Sequence, residues 1–507
     1  MISGVIALVV YARTLMPGIA WGDWGELPTV SHVLGVAHPT GYPTYVILGW
    51  FAQLVPLATV AVRLNFTAAL FVAGAVGTAT AISIRLGVRP LIAIGIALAF
   101  GFVGTVWAAA TVSDAHPLHL FFAALILHRA LVWADGREPR DLVVGALLVG
   151  LALGNHLLML FIVPFVALYV VWTGWRELLR HPVLLLEVAV ALVIGLSVYV
   201  YIPLAARGSP PLPYNHPTTL AGVLWLVSGQ QFHGQFDFLA ATGPGNFVAA
   251  LGTLWSLAVA RATAMFPVLG AVGFVALGRR RPSYAVLLAV VGFFACFIWA
   301  NYLELEHYLL VPWLVVAIAA SAGLEALAVV GARLVGNVFR RFAPSDGAVA
   351  PGSRVGAGAI AGVAALCLAV VLGSLNWAAS DRSADRSGQE FVDAVFGALP
   401  RDAAILSYWD ASTPLWYGRF VEGLRPDVLV VDDTNIVYEG WVTRERRIES
   451  LICQRPVFIL RPDQADLVPT AAEFNLRPFL AVRVAAGGPT AVMTAEIFRV
   501  LPRTACA

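Results

Sequence analysis

The stretch WGDWGELPTVSHVLGVAHPTGYPTY, residues 21–45, gathers two carboxylates, two histidines and four large aromatics into 25 residues. It lies between apolar runs at 2–19 and 64–84. A polar segment framed by runs of about 20 apolar residues marks a chain that crosses a bilayer. The pattern continues outward. Runs of spanning length recur at 91–110, 116–134, 157–174, 183–203, 283–302, 307–329 and 356–377. Residues 141–156 form a shorter run, and 248–277 is interrupted by Pro267. No small-residue cleavage site of the signal-peptide kind follows 2–19. The count is eleven transmembrane helices.

Composition agrees. The 507 residues are 59% hydrophobic and 12% charged, where a soluble domain carries about 25% charge. An ordinary soluble enzyme is excluded. Residues 1–377 hold 31 charged side chains, and so do the 130 residues that follow. A membrane-embedded body, 1–377, is therefore expected to precede a water-soluble domain, 378–507. All 32 basic residues are arginine, dispersed along the chain, and the net charge is +2. No nucleic-acid partner is implied, because that needs a concentrated basic face. Cys296 and Cys367 fall in apolar runs, whereas Cys453 and Cys506 lie in the tail, free to pair in an oxidising compartment.

With the N-terminus in the cytoplasm, the inner loops receive Arg85, Arg89, Arg137, Arg140, Arg176, Arg180, Arg279, Arg280, Arg281, Arg333, Arg340, Arg341 and Arg354. The outer loops of the body receive Arg63 and Arg207, as the positive-inside rule requires. This holds if 43–58, short and bearing Gln53 and two prolines, lies at the interface rather than crossing. The tail then stands outside a plasma membrane. Asp23, Glu26, Asp114, Asp237, Glu304 and Glu306 map to the outer side, as do His38, His116, His156 and His307. A site at the outer interface is the economical reading, since ionisable groups at membrane depth tend to mark function.

Asp23 and Glu26 admit two arrangements. A helix beginning near Asp23 sets both carboxylates on one face; Asp23 as N-cap with Glu26 at N3 makes a capping box. The run HPTGYP, 38–43, is a rigid turn, with Pro39 and Pro43 fixing φ. Trp21, Trp24, Tyr42 and Tyr45 read as an interfacial aromatic belt.

The stretch TLMPGIAWGDWGELPTVSHVLGVAHPTGYPTYVILG, 14–49, resembles the opening signature of the GT-C superfamily of polytopic membrane glycosyltransferases. The subgroup is that of the transmembrane protein 260-like protein O-mannosyltransferases and their bacterial relatives. RLN at 63–65, GLALGNH at 150–156, YVYIPLAARGSPP at 199–211 and WYGRFVEGLRPDVLVVD at 416–432 are similar to other family segments. VSDAHPLHL, 112–120, departs from the family pattern, with Asp114 in a Glu position and His116 in a Tyr position. The resemblance implies a mainly α, GT-C-like fold and a polyprenyl-phosphate-sugar donor drawn from membrane lipid. It also implies a protein or glycan acceptor, inversion at the sugar, and a first-loop acid acting at the acceptor: Asp23, with Glu26 beside it.

That chemistry needs a base for the acceptor hydroxyl and fixed positive charge for the leaving phosphate. Arg63 and Arg207 are the expected phosphate ligands, because guanidinium matches phosphate oxygens; each would otherwise be a snorkelling interface residue. His38, Asp114, His116, His156 and Tyr42 are further substrate-binding candidates. No spacing demands a metal, although Asp23, Glu26 and Asp114 are oxygen ligands hard enough for a divalent ion.

In the tail, strand-like runs at 403–409, 427–432 and 456–460 alternate with helical ones at 389–399, 413–423 and 443–452. A small α/β domain with a parallel sheet follows, with Asp410 and Asp432 at strand ends. The competing reading is a transporter or flippase of a lipid-linked saccharide. That class predicts internal repeats and paired ionisable groups at the midplane. Glu187 and Glu325 are the acids within runs, and no repeat is visible.

Overall fold

In lipid the backbone must satisfy its own hydrogen bonds, so the apolar runs fold as helices. The computed structural model describes residues 1–235, 244–301, 306–342, 351–485, 492–504 and 506. Among these, six helices are long and apolar enough to cross a bilayer: Val60–Arg85, Ala115–Gly136, Leu157–Arg180, Pro182–Arg207, Glu306–Val335 and Gly356–Ser380. A seventh would be the pair Val248–Ala262 and Met265–Arg280, bent by 112°. Length alone does not reproduce the expected eleven. The run 91–110 divides into Pro90–Gly101 and Gly104–Ala109, and 141–156 yields the 15-residue helix Pro139–Leu153. The bend in 248–277 falls at Thr263, φ +59°, just ahead of Pro267. Pro267 then occupies the first turn of the new helix, where no backbone donor is missed. Pro43–Gln53 has only 11 residues, a rise of about 16 Å, too short to cross.

Helices in lipid associate through small residues and polar contacts, since burial of apolar surface supplies little drive between them. Gly273 shows the first: a Cβ there would overlap the Ala319 carbonyl across the helix pair. Ser83 and Ser321 show the second, with hydroxyl oxygens 2.8 Å apart. Glu325 is paired with Arg89 at 3.3 Å and accepts its backbone N–H, so this acid inside a run ties helices together. Glu187 is exposed. Asp135, at the end of Ala115–Gly136, gathers Arg85 and Arg281. The opposite end of these helices carries the 21–45 loop and the tail.

The helix Pro351–Ser380 runs three residues past the expected domain boundary. Beyond it the tail builds one five-stranded sheet from β1 (Ala404–Ser407), β2 (Leu429–Asp432), β3 (Val457–Leu460), β4 (Asn475–Ala485) and β5 (Val492–Leu501), ordered β2-β1-β3-β5-β4. The first three strands are parallel as expected. The last two add an antiparallel ribbon that the sequence reading did not anticipate. Cys453 and Cys506 form a disulfide closing this ribbon onto the helix Arg444–Ile452.

Body and tail share a core. Trp21 is 2% exposed among Phe391, Val392 and Trp416, and its indole N–H reaches Ser387 Oγ at 3.2 Å. It is therefore a docking peg, not part of an interfacial belt. Tyr417 Oη accepts the backbone N–H of Ala61 at 2.9 Å. The tail is seated directly on the loop that holds the candidate acids.

Candidate active site

Gly22 enters the helix Asp23–Val33 at φ +59°, in the left-handed region open to glycine. A Cβ there would stand 2.6 Å from Asp410 Oδ1. Gly22, not Asp23, is the N-cap, so the capping box does not form and the one-face arrangement does. Asp23 occupies the first helical position and Glu26 lies one turn on, both near the positive end of the helix dipole.

Their environments differ sharply. Glu26 is 2% exposed and accepts from His38 twice, from its backbone N–H at 2.9 Å and its Nδ1 at 2.5 Å. The Asp23 side chain is 52% exposed. Its Oδ1 accepts the indole N–H of Trp409 at 2.9 Å, and its Oδ2 lies 3.6 Å from His38 Nε2. Burial alone would lower the His38 pKa. The charges of Asp23 and Glu26, helped by the bond to Glu26, overcome that and raise it to about 9. His38 is thus an imidazolium at neutral pH: Nε2–H donates to Tyr42 Oη at 3.1 Å, and Tyr42 donates onward to the Pro39 carbonyl. Asp410 faces the same corner. Burial, then the charge of Asp23, lifts it to about 6.

Asp23, Glu26 and His38 offer ligand atoms within 4.8 Å of one another. A metal ligand must present a bare nitrogen, and here both His38 nitrogens are engaged, Nδ1 by Glu26 and Nε2 by Tyr42, so a divalent ion at these three residues would have to displace one of those bonds and its proton. Asp114 is also committed, to the backbone N–H and Nδ1 of His116 and to the indole of Trp24.

Asp23 opens onto a cavity of about 860 Å³, within the range of small-molecule sites. Its lining combines polar groups, His38, Tyr42, His116, His156 and His307 among them, with apolar ones, Leu157, Leu160 and Phe161. Leu160 is exposed, so the apolar part of the lining reaches the outside of the helices. Asp23, His38, Tyr42, His116 and His156 are thus brought together, with Glu26 and Asp114 immediately behind them. Arg63 and Arg207 are not among its described lining residues. Arg63 donates to the carbonyls of Gln53 and Val55, capping the helix Pro43–Gln53, whose last carbonyls lack partners. Arg207 reaches the Thr218 carbonyl from an exposed position. Arg261 is paired with Glu306. Asp237 and Glu304 lie outside the described residues.

Trp409 was missed by sequence reasoning, which stopped at its neighbour Asp410. The visible signal was an aromatic at the carboxyl end of a parallel strand, where ligands gather. Tyr214 was missed as well; it lines the cavity and bonds Asn435 of the tail at 3.0 Å.

A helical membrane body with a docked C-terminal domain and a loop-borne carboxylate at their junction defines a polytopic membrane protein of the GT-C fold. The fold is similar to that of ArnT from Cupriavidus metallidurans bound to undecaprenyl phosphate, with a TM-score of 0.58 and 15% identity, covering 98% of this chain and 97% of that one. The apo form of ArnT gives 0.57 at 14% identity, with the same coverage. Residues 23–179 match the family model described as the protein O-mannosyl-transferase TMEM260 N-terminal domain. The protein O-mannosyl-transferase TMEM260 of Mus musculus is 27% identical over 468 residues, 86% of this chain and 63% of that protein. The one from Dictyostelium discoideum is 26% identical over 211 residues, 38% of this chain and 25% of that protein. The chain thus spans under two thirds of the length of either relative. The resemblance read from residues 14–49 is borne out.

Proposed function

We propose that this chain is a membrane glycosyltransferase that moves a sugar from a polyprenyl-phosphate donor to a hydroxyl of a protein or glycan acceptor. Mannose is the sugar in the names of both relatives, and the similar ArnT structure holds undecaprenyl phosphate. One observation carries the reading: a half-exposed carboxylate, Asp23, held by Trp409 at the junction of body and tail, facing a cavity lined by both polar and apolar side chains. The apolar lining at Leu157, Leu160 and Phe161 receives the prenyl chain from the bilayer. The acceptor hydroxyl gives its proton to Asp23 while its oxygen attacks the anomeric carbon from the side opposite the phosphate. Glu26 and His38 form a buried pair that fixes the loop behind Asp23. Residues 1–377 act as the catalytic body, and 378–507 as an extracytoplasmic domain completing the site. The Arg-rich far end of the bundle, read by the positive-inside rule, supports a cytoplasmic N-terminus and a plasma-membrane location. The Cys453–Cys506 disulfide supports an oxidising outer compartment for the tail.

Asp23→Asn tests the base. A positioned general base contributes about 10²–10⁴-fold, so transfer from polyprenyl-phosphate mannose to envelope proteins or glycans, followed by mass spectrometry, should fall by that order while the melting temperature holds. Undiminished transfer would remove Asp23 from the role.

A further inference from the structure

The proposed chemistry leaves a phosphate to be received, yet the arginines expected for it cap a helix or lie outside the cavity. Five imidazoles line the cavity instead, and three of them, each from a different element, cluster together. His116 stands at the start of Ala115–Gly136, His156 precedes the 3-10 turn Leu157–Phe161, and His307 belongs to the turn Glu306–Leu309. The His116 ring lies 4.2 Å from His307 and 4.8 Å from His156, centroid to centroid.

Their hydrogen bonds set which nitrogens are free. Asp114 Oδ1 accepts His116 Nδ1–H at 2.8 Å and the His116 backbone N–H at 3.0 Å, while its Oδ2 accepts the Trp24 indole at 2.9 Å. The proton on Nδ1 is fixed by the carboxylate, as in any imidazole whose other nitrogen is left to act on a ligand. His116 is 7% exposed, lines the cavity, and its Nε2 is buried with no partner among the described residues. An unmatched buried nitrogen costs free energy that a ligand would recover. His156 Nδ1 accepts the backbone N–H of Leu158 at 3.2 Å, which leaves its Nε2–H as a donor.

We infer that His116, oriented by Asp114 and flanked by His156 and His307, is the receptor for the donor's phosphate and protonates it as the sugar departs. This rests on the glycosyltransferase reading. The acceptor oxygen bonds to the anomeric carbon and its proton passes to Asp23. The bond between that carbon and the phosphate oxygen breaks, leaving the electron pair on the oxygen, which takes the proton from His116 Nε2. Asp23 then releases one proton to solvent and His116 regains one, so none is consumed. The groups facing His116 are Asp114 and His119 from its own helix, His156, and His307 with Tyr308. Asp23, His38, Tyr42 and His233 line the same cavity.

The test is retention of undecaprenyl phosphate by the purified full chain in nanodiscs, followed by native mass spectrometry between pH 5.5 and 8.5. Wild-type retention should weaken as pH rises. His116→Gln should bind about tenfold more weakly at pH 6, the size of a lost charged hydrogen bond, with little pH dependence left. His307→Gln and Asp114→Asn, checked for folding by gel filtration, should shift the same way. Wild-type retention in all three variants, with the same pH profile, would overturn the inference and leave the transferase reading standing. A wild-type chain that retains no undecaprenyl phosphate would overturn both. Inorganic phosphate is the competing probe: displacement of the lipid by equimolar inorganic phosphate would mark a site for the free ion and also overturn the inference.

Discussion

Two carboxylates three residues apart acquire opposite properties here because one is buried against a histidine and the other faces a cavity. The sequence put Asp23 and Glu26 on one face but could not say which would be committed. The decision is made by His38, twelve residues on, which folds back over Glu26. Its pKa, raised from 6.5 to about 9, links this cluster to stability. A raised folded-state pKa contributes stability that is whole below 6.5 and is lost as pH climbs through about 9. The shift corresponds to at most about 3 kcal/mol. The melting temperature of the purified chain should therefore decline between pH 6.5 and 9.5. His38→Gln should be less stable at pH 6 and nearly flat across that window. A variant as pH-dependent as the wild type would mean the titrating group is elsewhere.

At the scale of elements, most of the body was legible and the site's cation was not. Apolar runs announce helices because lipid leaves the backbone no other partner, so the major helices appear where hydropathy put them. What a run cannot reveal is where it breaks: 91–110 divides, and 248–277 bends at Thr263 rather than at Pro267. Arg63 was misdirected for a related reason. A guanidinium near an outer loop suits a phosphate in sequence, but the end of the helix Pro43–Gln53 lies within its reach and offers unpaired carbonyls first. The tail's parallel strands could be read from short buried runs; the β4–β5 ribbon could not, since Pro478 within β4 discourages a strand reading. The turn at Gly22 carries the sharpest consequence. Gly22→Ala must strain a left-handed backbone and push a methyl toward Asp410 Oδ1, at 2.6 Å. Such changes cost more than about 1 kcal/mol. The helix would start late, moving Asp23 off Trp409. Transfer should drop by at least tenfold, while undecaprenyl phosphate is retained normally, since the histidine wall is untouched. Full activity would show that the loop tolerates another entry into its helix.

On the scale of the whole molecule, the tail is part of the site rather than an appendage. Trp21 enters the tail's core, Tyr417 caps the helix Val60–Arg85, and Trp409 holds the candidate base. None of these contacts was visible in the sequence, because each joins residues hundreds of positions apart and none follows a local period. Trp409 gives the cleanest test of this coupling. Its ring packs edge-on against His38 and Trp416, at 5.6 and 5.7 Å, so Trp409→Phe keeps most of the packing and removes only the N–H to Asp23. A hydrogen bond to a charged group is worth about 1.5–3 kcal/mol, and half of it directed to orientation corresponds to about four- to tenfold in rate. The expected result is a kcat lower by roughly that factor, with KM for the lipid donor and the melting temperature unchanged. A merely structural tryptophan would instead lower the melting temperature and leave kcat per folded molecule intact. Trp409→Leu, which loses the ring as well, should do both. If Phe restores full turnover, the tail supports the loop through packing alone and Asp23 is oriented from the membrane side.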